Sequence, residues 1–220
     1  MFTRQEINKE TLIPCHVLIK TVANLPVFSK EEDCLRFVFQ IYAANLGKPG
    51  LNLHRKNIKK AAIDLLSGQE IATDLAKIEH EPLVNIISFV LVKNHAHFLL
   101  SANQKGGISK FINKLNLGFA KYYNLKNKRE GVLFNKPFKM VPLQGNHQLN
   151  LVACYINIKS PLEISEELGG YKFSSFLDVF SNRKSKITAD KSIVKYLGIN
   201  PEKAEEYIEK INFSNPLFLE

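Results

Sequence analysis

Two histidines separated by one small residue, His95-Ala96-His97, are the residues whose types and spacing most directly suggest chemistry. They sit in a very apolar stretch, HAHFLLSA, bounded by Lys93-Asn94 on one side and Gly106-Gly107 on the other. If that stretch is a strand, residues i and i+2 project from one face and both imidazoles aim at one spot. Two neutral imidazoles side by side can hold a divalent metal and leave positions for water or a phosphate oxygen. A single strand histidine is usually a packed side chain, but two on one apolar strand would be costly to bury unsatisfied.

A second feature is the address of the charge. The 220-residue chain carries a formal net charge of +9 with a pI near 9.4. Between positions 105 and 139 stand Lys105, Lys110, Lys114, Lys121, Lys126, Lys128, Arg129, Lys136 and Lys139 against a single acid, Glu130, so +8 lies in one segment. Phenylalanines, tyrosines and asparagines are interleaved with these cations, the mixture that a phosphate backbone with accessible bases calls for. The aromatics taken alone read as the core side of a helix.

Composition excludes other classes. Apolar residues make up 45% and charged residues 23%, which fits a folded chain with a sizeable core. Cys15, Cys34 and Cys154 are odd in number, far apart and without a CxxC pair, so a disulfide scaffold or a cysteine zinc site is not expected and a reducing, cytoplasmic setting is. No signal peptide is expected from the charged start MFTRQEINKE, and the longest apolar run is too short to span a bilayer, so no membrane partner is expected.

The elements that must position these residues follow from periodicity. CHVLIKTV (15–22) reads as a strand, and LRFVFQIYAAN, preceded by Glu31 and Glu32, as a helix. Gly47-Lys48-Pro49-Gly50 reads as a break, 55–67 as a basic helix, and the stretch to 78 as weakly helical. LVNIISFVLV and HAHFLLSA form a predicted hairpin, 109–127 a helix with an apolar stripe, 132–143 a strand, and 145–159 a further helix. With 51–80 set aside as a helical insertion, the order is β-α-β-β-α-β plus one helix. That is an α+β, ferredoxin-like split βαβ arrangement, with an antiparallel sheet and helices on one face. A helical tail is expected over 190–197 and 201–211.

The set SFVLVKNHAHFLL, FINKLNLGFAKYYN, LFNKPFK, CYINIKSP and YKFSSF, following CHVLIKTV in this order, resembles the HUH endonucleases. More narrowly it resembles their single-tyrosine transposases, including the REP-associated tyrosine transposases. The resemblance spans 15–176 and implies a catalytic domain over 1–176 with a C-terminal helical extension over 177–220. It implies that Tyr155 is the nucleophile, that His95 and His97 bind Mg or Mn, and that the substrate is single-stranded or hairpin DNA. Attack by Tyr155 would leave a 5′-phosphotyrosine link that a 3′-hydroxyl can reverse. A cytoplasmic, nucleoid-associated protein, monomeric or a homodimer exchanging the tyrosine helix, is the corresponding expectation.

One departure stands out. The residue four after Tyr155, where the family commonly completes the metal site, is Lys159, which has no lone pair to give when protonated. Lys159 is instead expected on the DNA phosphate. A non-catalytic nucleic-acid-binding protein on the same scaffold, or a metallohydrolase using water, are the competing readings. Asn157 falls on the far side of an ideal helix from Tyr155, His16 is expected to be structural, and Tyr122 and Tyr123 to pack.

Overall fold

The computed structural model describes residues 13–50, 55–162, 164–165 and 169–190. The expected tail helices and His54 lie outside the described residues. Four strands form the main sheet: β1 (Cys15–Lys20), β4 (Val84–Val92), β5 (His95–Ala102) and β6 (Lys139–Pro142), in the order β4-β5-β1-β6 with every neighbouring pair antiparallel. Helices α1 (Glu31–Leu46) and α3 (Gly107–Lys126) provide the two crossovers. Counting only the sheet strands, the chain runs β-α-β-β-α-β, so the ferredoxin-like architecture is present.

One face of the sheet is an apolar core. Val17 and Ile19 of β1 and Ala96, Phe98 and Leu100 of β5 pack against α1 and α3. Phe37 lies within 7 Å of Phe28, Phe98, Phe119 and Phe134, ring centre to ring centre (4.8, 6.5, 4.9 and 6.4 Å). The stripe expected on α3 is this contact: Phe111, Ile112, Leu115 and Phe119 are buried. Gly118 brings the two helices together, because a Cβ there would strike the side-chain amide of Gln40.

The other face carries α4 (Gly145–Cys154) and the turn that continues it, Tyr155–Lys159. The expected helix over 145–159 is therefore continuous, but its last part is wound as a π-helix, with Ser160 N–H donating to Tyr155 O. Single π-turns inside helices are uncommon and concentrate at functional sites. A short helix α5 (Ser160–Leu162) follows, and α6 (Phe176–Val179) lies in the segment that returns to the sheet.

Three local expectations are corrected. The Gly47–Gly50 break contains a short strand, β2 (Gly47–Pro49), paired with β3 (Ala76–Ile78), where a weak helix was expected. The insertion's helix, α2 (Arg55–Leu66), is present and packs on α1. Only Lys139–Pro142 of the expected 132–143 strand pairs in the sheet, with Phe134 making an isolated bridge to Thr21. Pro137, which lacks an N–H, interrupts the ladder between them.

The described part of the tail is bound to this body. Ala189 N–H donates to Ile86 O, Lys186 N–H to Leu65 O, and Leu91 N–H to Phe173 O (2.8, 2.8 and 3.1 Å). Ile187 is buried in the main core. Residues 177–190, the described part of the expected extension, thus pack on the same body as the sheet. Among the described residues no helix is long and apolar enough to cross a membrane.

Candidate active site

The strand spacing of His95 and His97 does what alternation requires. Their rings lie edge to face, 4.8 Å between centres. Cross-strand pairing puts Leu18 opposite His97 and Lys20 opposite His95, so β1 adds His16, Leu18 and Lys20 to the same face. His16 sits diagonally from His97, and its Nε2 is 2.9 Å from His97 Nδ1. His16, expected from sequence to be structural, stands in the histidine cluster. The alternation His16-Val17-Leu18-Ile19-Lys20 was the signal that could have found both it and Lys20.

Tyr155 enters this cluster from the helix layer. Its ring is 5.3 Å from His97 and 6.1 Å from His16, both steeply tilted, and it is 1% exposed. His95 and His97, 60 and 58 positions before Tyr155 in sequence, are thus brought with it into one site. His97 is fully buried, and its imidazolium is pushed down to about 3, first by desolvation and then by Lys20 and Lys139. It is neutral at any physiological pH and keeps one nitrogen lone pair.

The hydrogen-bonding role of His95 Nδ1 follows from its neighbour. His95 Nδ1 is 2.7 Å from Asn94 Oδ1, which can only accept, so Nδ1 carries a proton, and in the neutral imidazole the lone pair is on Nε2. Asn94 Nδ2 donates to Asn24 Oδ1 at 3.3 Å, which fixes that amide orientation. A second partner on the far ring nitrogen is how metal-ligating histidines are commonly oriented. Two imidazole donors on one face fit a divalent ion that takes its other ligands from water or phosphate. Among the described residues, no group of three or more His, Cys, Asp or Glu is arranged to hold a metal.

Asn157 braces the turn that carries Tyr155. It is fully buried, donating to Ser88 Oγ (2.9 Å) and Ala153 O (2.8 Å) and accepting from Ser175 Oγ (2.6 Å). The register of β4 shifts between Ile86 and Ser88, so Ile87 packs toward the tyrosine helix while Ser88 reaches Asn157. This network ties the π-turn to β4 and to the returning segment, and so fixes the turn on which Tyr155 stands.

The basic residues divide by place. Lys110, Lys114 and Lys121 ride on α3, across the sheet from Tyr155, with Lys105 in the loop before it. Lys114 is 3.2 Å from His80 Nε2, and Arg129 donates to Asn124 Oδ1 and Val132 O. Lys126 is only 10% exposed and bridges Glu32 and Asp33, so its charge is neutralised inside the protein rather than presented to a ligand. Lys128 and Lys136 are exposed; Lys139 is exposed on the histidine face, in register with Leu18. Lys159 closes the π-turn, half-buried. Tyr122 donates to Asp33 Oδ1 (2.8 Å), and burial pushes its hydroxyl up to about 12, so it is held away from the site as a packing residue. The three cysteines are free and buried.

Residues 53–159 match the family model described as "Transposase IS200 like". That segment contains His95, His97 and Tyr155. No curated protein matches the sequence. In fold, the chain is similar to a solved REP-associated tyrosine transposase, bound there to a REP hairpin, with a TM-score of 0.50 and 11% identity over 86% of this chain and 92% of that one. Residues 53–159 are thus similar in sequence to IS200-like transposases, and the antiparallel sheet and helix layers around them are similar in fold to those of a REP-associated tyrosine transposase.

Proposed function

We propose that the protein is a metal-dependent single-stranded DNA endonuclease and strand transferase in which Tyr155 is the nucleophile. The observation that carries this reading is the Tyr155 ring lying 5.3 Å from His97, with His95 beside it on the same strand face. Tyr155 Oη would bond to phosphorus as the P–O3′ bond breaks, leaving a 5′-phosphotyrosine and a free 3′-hydroxyl. The reverse attack by a 3′-hydroxyl rejoins strands without an added energy source. His95 and His97 would hold Mg or Mn, which when bound polarises the phosphate.

A tyrosine hydroxyl titrates near ~10 in water and needs its negative charge stabilised as it attacks. Lys20 and Lys139, the cations that depress His97, favour negative charge on this face, and Lys159 stands one turn from the nucleophile. Tyr155 is 1% exposed, so strand entry requires the π-turn to lift from the sheet. Exchange of the tyrosine helix between two chains is one way to achieve that. The DNA strand, as single strand or hairpin, would be held by the exposed lysines around 105–139.

The test is a denaturing gel of end-labelled single-stranded and hairpin oligonucleotides incubated with Mg²⁺ or Mn²⁺. The parent should give a protein-linked 5′ product that Tyr155→Phe does not give. Equal cutting by Tyr155→Phe would end this reading. A second reading, nucleic-acid binding without cleavage, is favoured by one observation: Lys159 occupies the position from which a third ligand would come. It expects salt-sensitive binding and no cut strand with any divalent ion.

A further inference from the structure

Between the outer side of α3 and the segment 131–138 lies a cleft of about 640 Å³ that the proposed chemistry does not use. Its walls are apolar and aromatic: Leu117, Val132, Phe134 and Phe138. Two of these face water to a degree unusual for large apolar side chains, Leu117 at 75% and Val132 at 57%. Asn113 and Asn116 line the same cleft, and the Oδ1 of Asn116 is shielded from solvent without a hydrogen-bond partner among the described residues. A shielded acceptor of this kind costs stability unless a ligand supplies a donor.

The charge around the cleft has one sign. Lys136 lines it and is exposed, no Asp or Glu does, and the exposed Lys110 and Lys121 lie on α3 beside the row Asn113, Leu117, Ala120. Aromatic faces, an amide acceptor and a lysine rim together suit a flat heterocycle attached to a phosphate. An apolar peptide would use the walls but leave the amide and the lysines without partners.

The cleft is also close to the nucleophile's face. Lys136 and Lys139 are three residues apart, at most ~11 Å along the chain, and Lys139 lies in register with Leu18 on the histidine face. A strand can pass from the cleft around the edge strand β6 to His97 and Tyr155. We infer that this cleft is a pocket for one unpaired base of the bound strand, stacked on Phe138, hydrogen-bonded by Asn116 and lying a few nucleotides from the cut phosphate. The inference rests on the DNA reading above and adds a point of base recognition to it.

The test compares a labelled single-stranded 12-mer carrying bases with an abasic 12-mer of the same phosphate number. The full-length parent should bind the base-bearing strand about tenfold more tightly. Asn116→Ala and Phe138→Leu should each remove most of that difference and leave abasic binding within twofold. As a measurement that needs no variant, a strand containing 5-iodouracil should crosslink under irradiation to the peptide holding Phe134 and Phe138. Equal parental affinity for both strands, or crosslinks confined to other peptides, would overturn the pocket while leaving DNA binding intact. Binding of neither strand would overturn the DNA reading itself, and the pocket with it.

Discussion

The two faces of the sheet differ in what they bury beside their apolar side chains. Toward α1 and α3 the strands offer Val17, Ile19, Phe98 and Leu100 to a cluster of phenylalanines. Toward α4 the same strands offer His16, His97, Ser88 and Ser101, all fully buried. Buried polar groups must find partners or be neutralised, and there the cost is met by His16 with His97 and by Asn157 with Ser88 and Ser175. Both faces bury apolar side chains, but the second also buries this row of polar ones, at some expense in stability, which is the usual condition of a site.

Four substitutions separate these roles, in descending order of effect on stability. Phe37→Ala on the apolar face should cost about 3–5 kcal/mol in urea unfolding, because the ring is wholly buried among four others. A loss under 1 kcal/mol would mean that this face is not the main source of stability. Asn157→Ala, which leaves Ser88 and Ser175 hydroxyls buried without it, should cost about 1–3 kcal/mol. It should also slow adduct formation more than it weakens DNA binding, since it loosens the turn carrying Tyr155.

Acid should distinguish the faces further. His97 in the folded protein sits near 3, well below its ordinary 6.5. The unfolded chain therefore takes up a proton first, and the stability due to a neutral His97 is present above about pH 6.5 and lost as pH falls toward 3. In metal-free buffer the urea midpoint of the parent should fall between pH 7 and pH 5, and more shallowly for His97→Gln. His16, His95, Lys20 and Lys139 share that face, so the difference between the two slopes is the quantity to read. Parallel slopes would show that His97 is not the buried neutral group described. Leu117→Gln, at an exposed site, should change stability by no more than ~0.5 kcal/mol.

The architecture was legible where periodicity was long. The β4-β5 hairpin and the α3 stripe are repeated patterns with clear turns, and the His95–His97 pair needs only the two-residue period of a strand. Short or irregular features escaped. Gly47 and Pro49 spell a break, yet pair with 76–78 because the neighbouring chain is close enough to pair. The π-turn at 155–159, and the buried partners Ser88 and Ser175 that it gives Asn157, are not written in helical periodicity. Lys126 looked like part of a ligand-facing patch because the sequence does not show that α1 brings Glu32 and Asp33 across to it. Tyr155 itself came from resemblance to a family; its residue type and helix position alone read as packing.

The central claim is that Tyr155 forms the covalent bond to DNA at the polar face. Its most direct test is mass spectrometry of the protein after reaction with single-stranded or hairpin oligonucleotide in Mn²⁺, followed by nuclease and protease digestion. The account expects a nucleotide attached through its 5′-phosphate to the peptide containing Tyr155. Cut strands with no nucleotide on any peptide, or a nucleotide on the peptide holding Tyr122 and Tyr123, would contradict it.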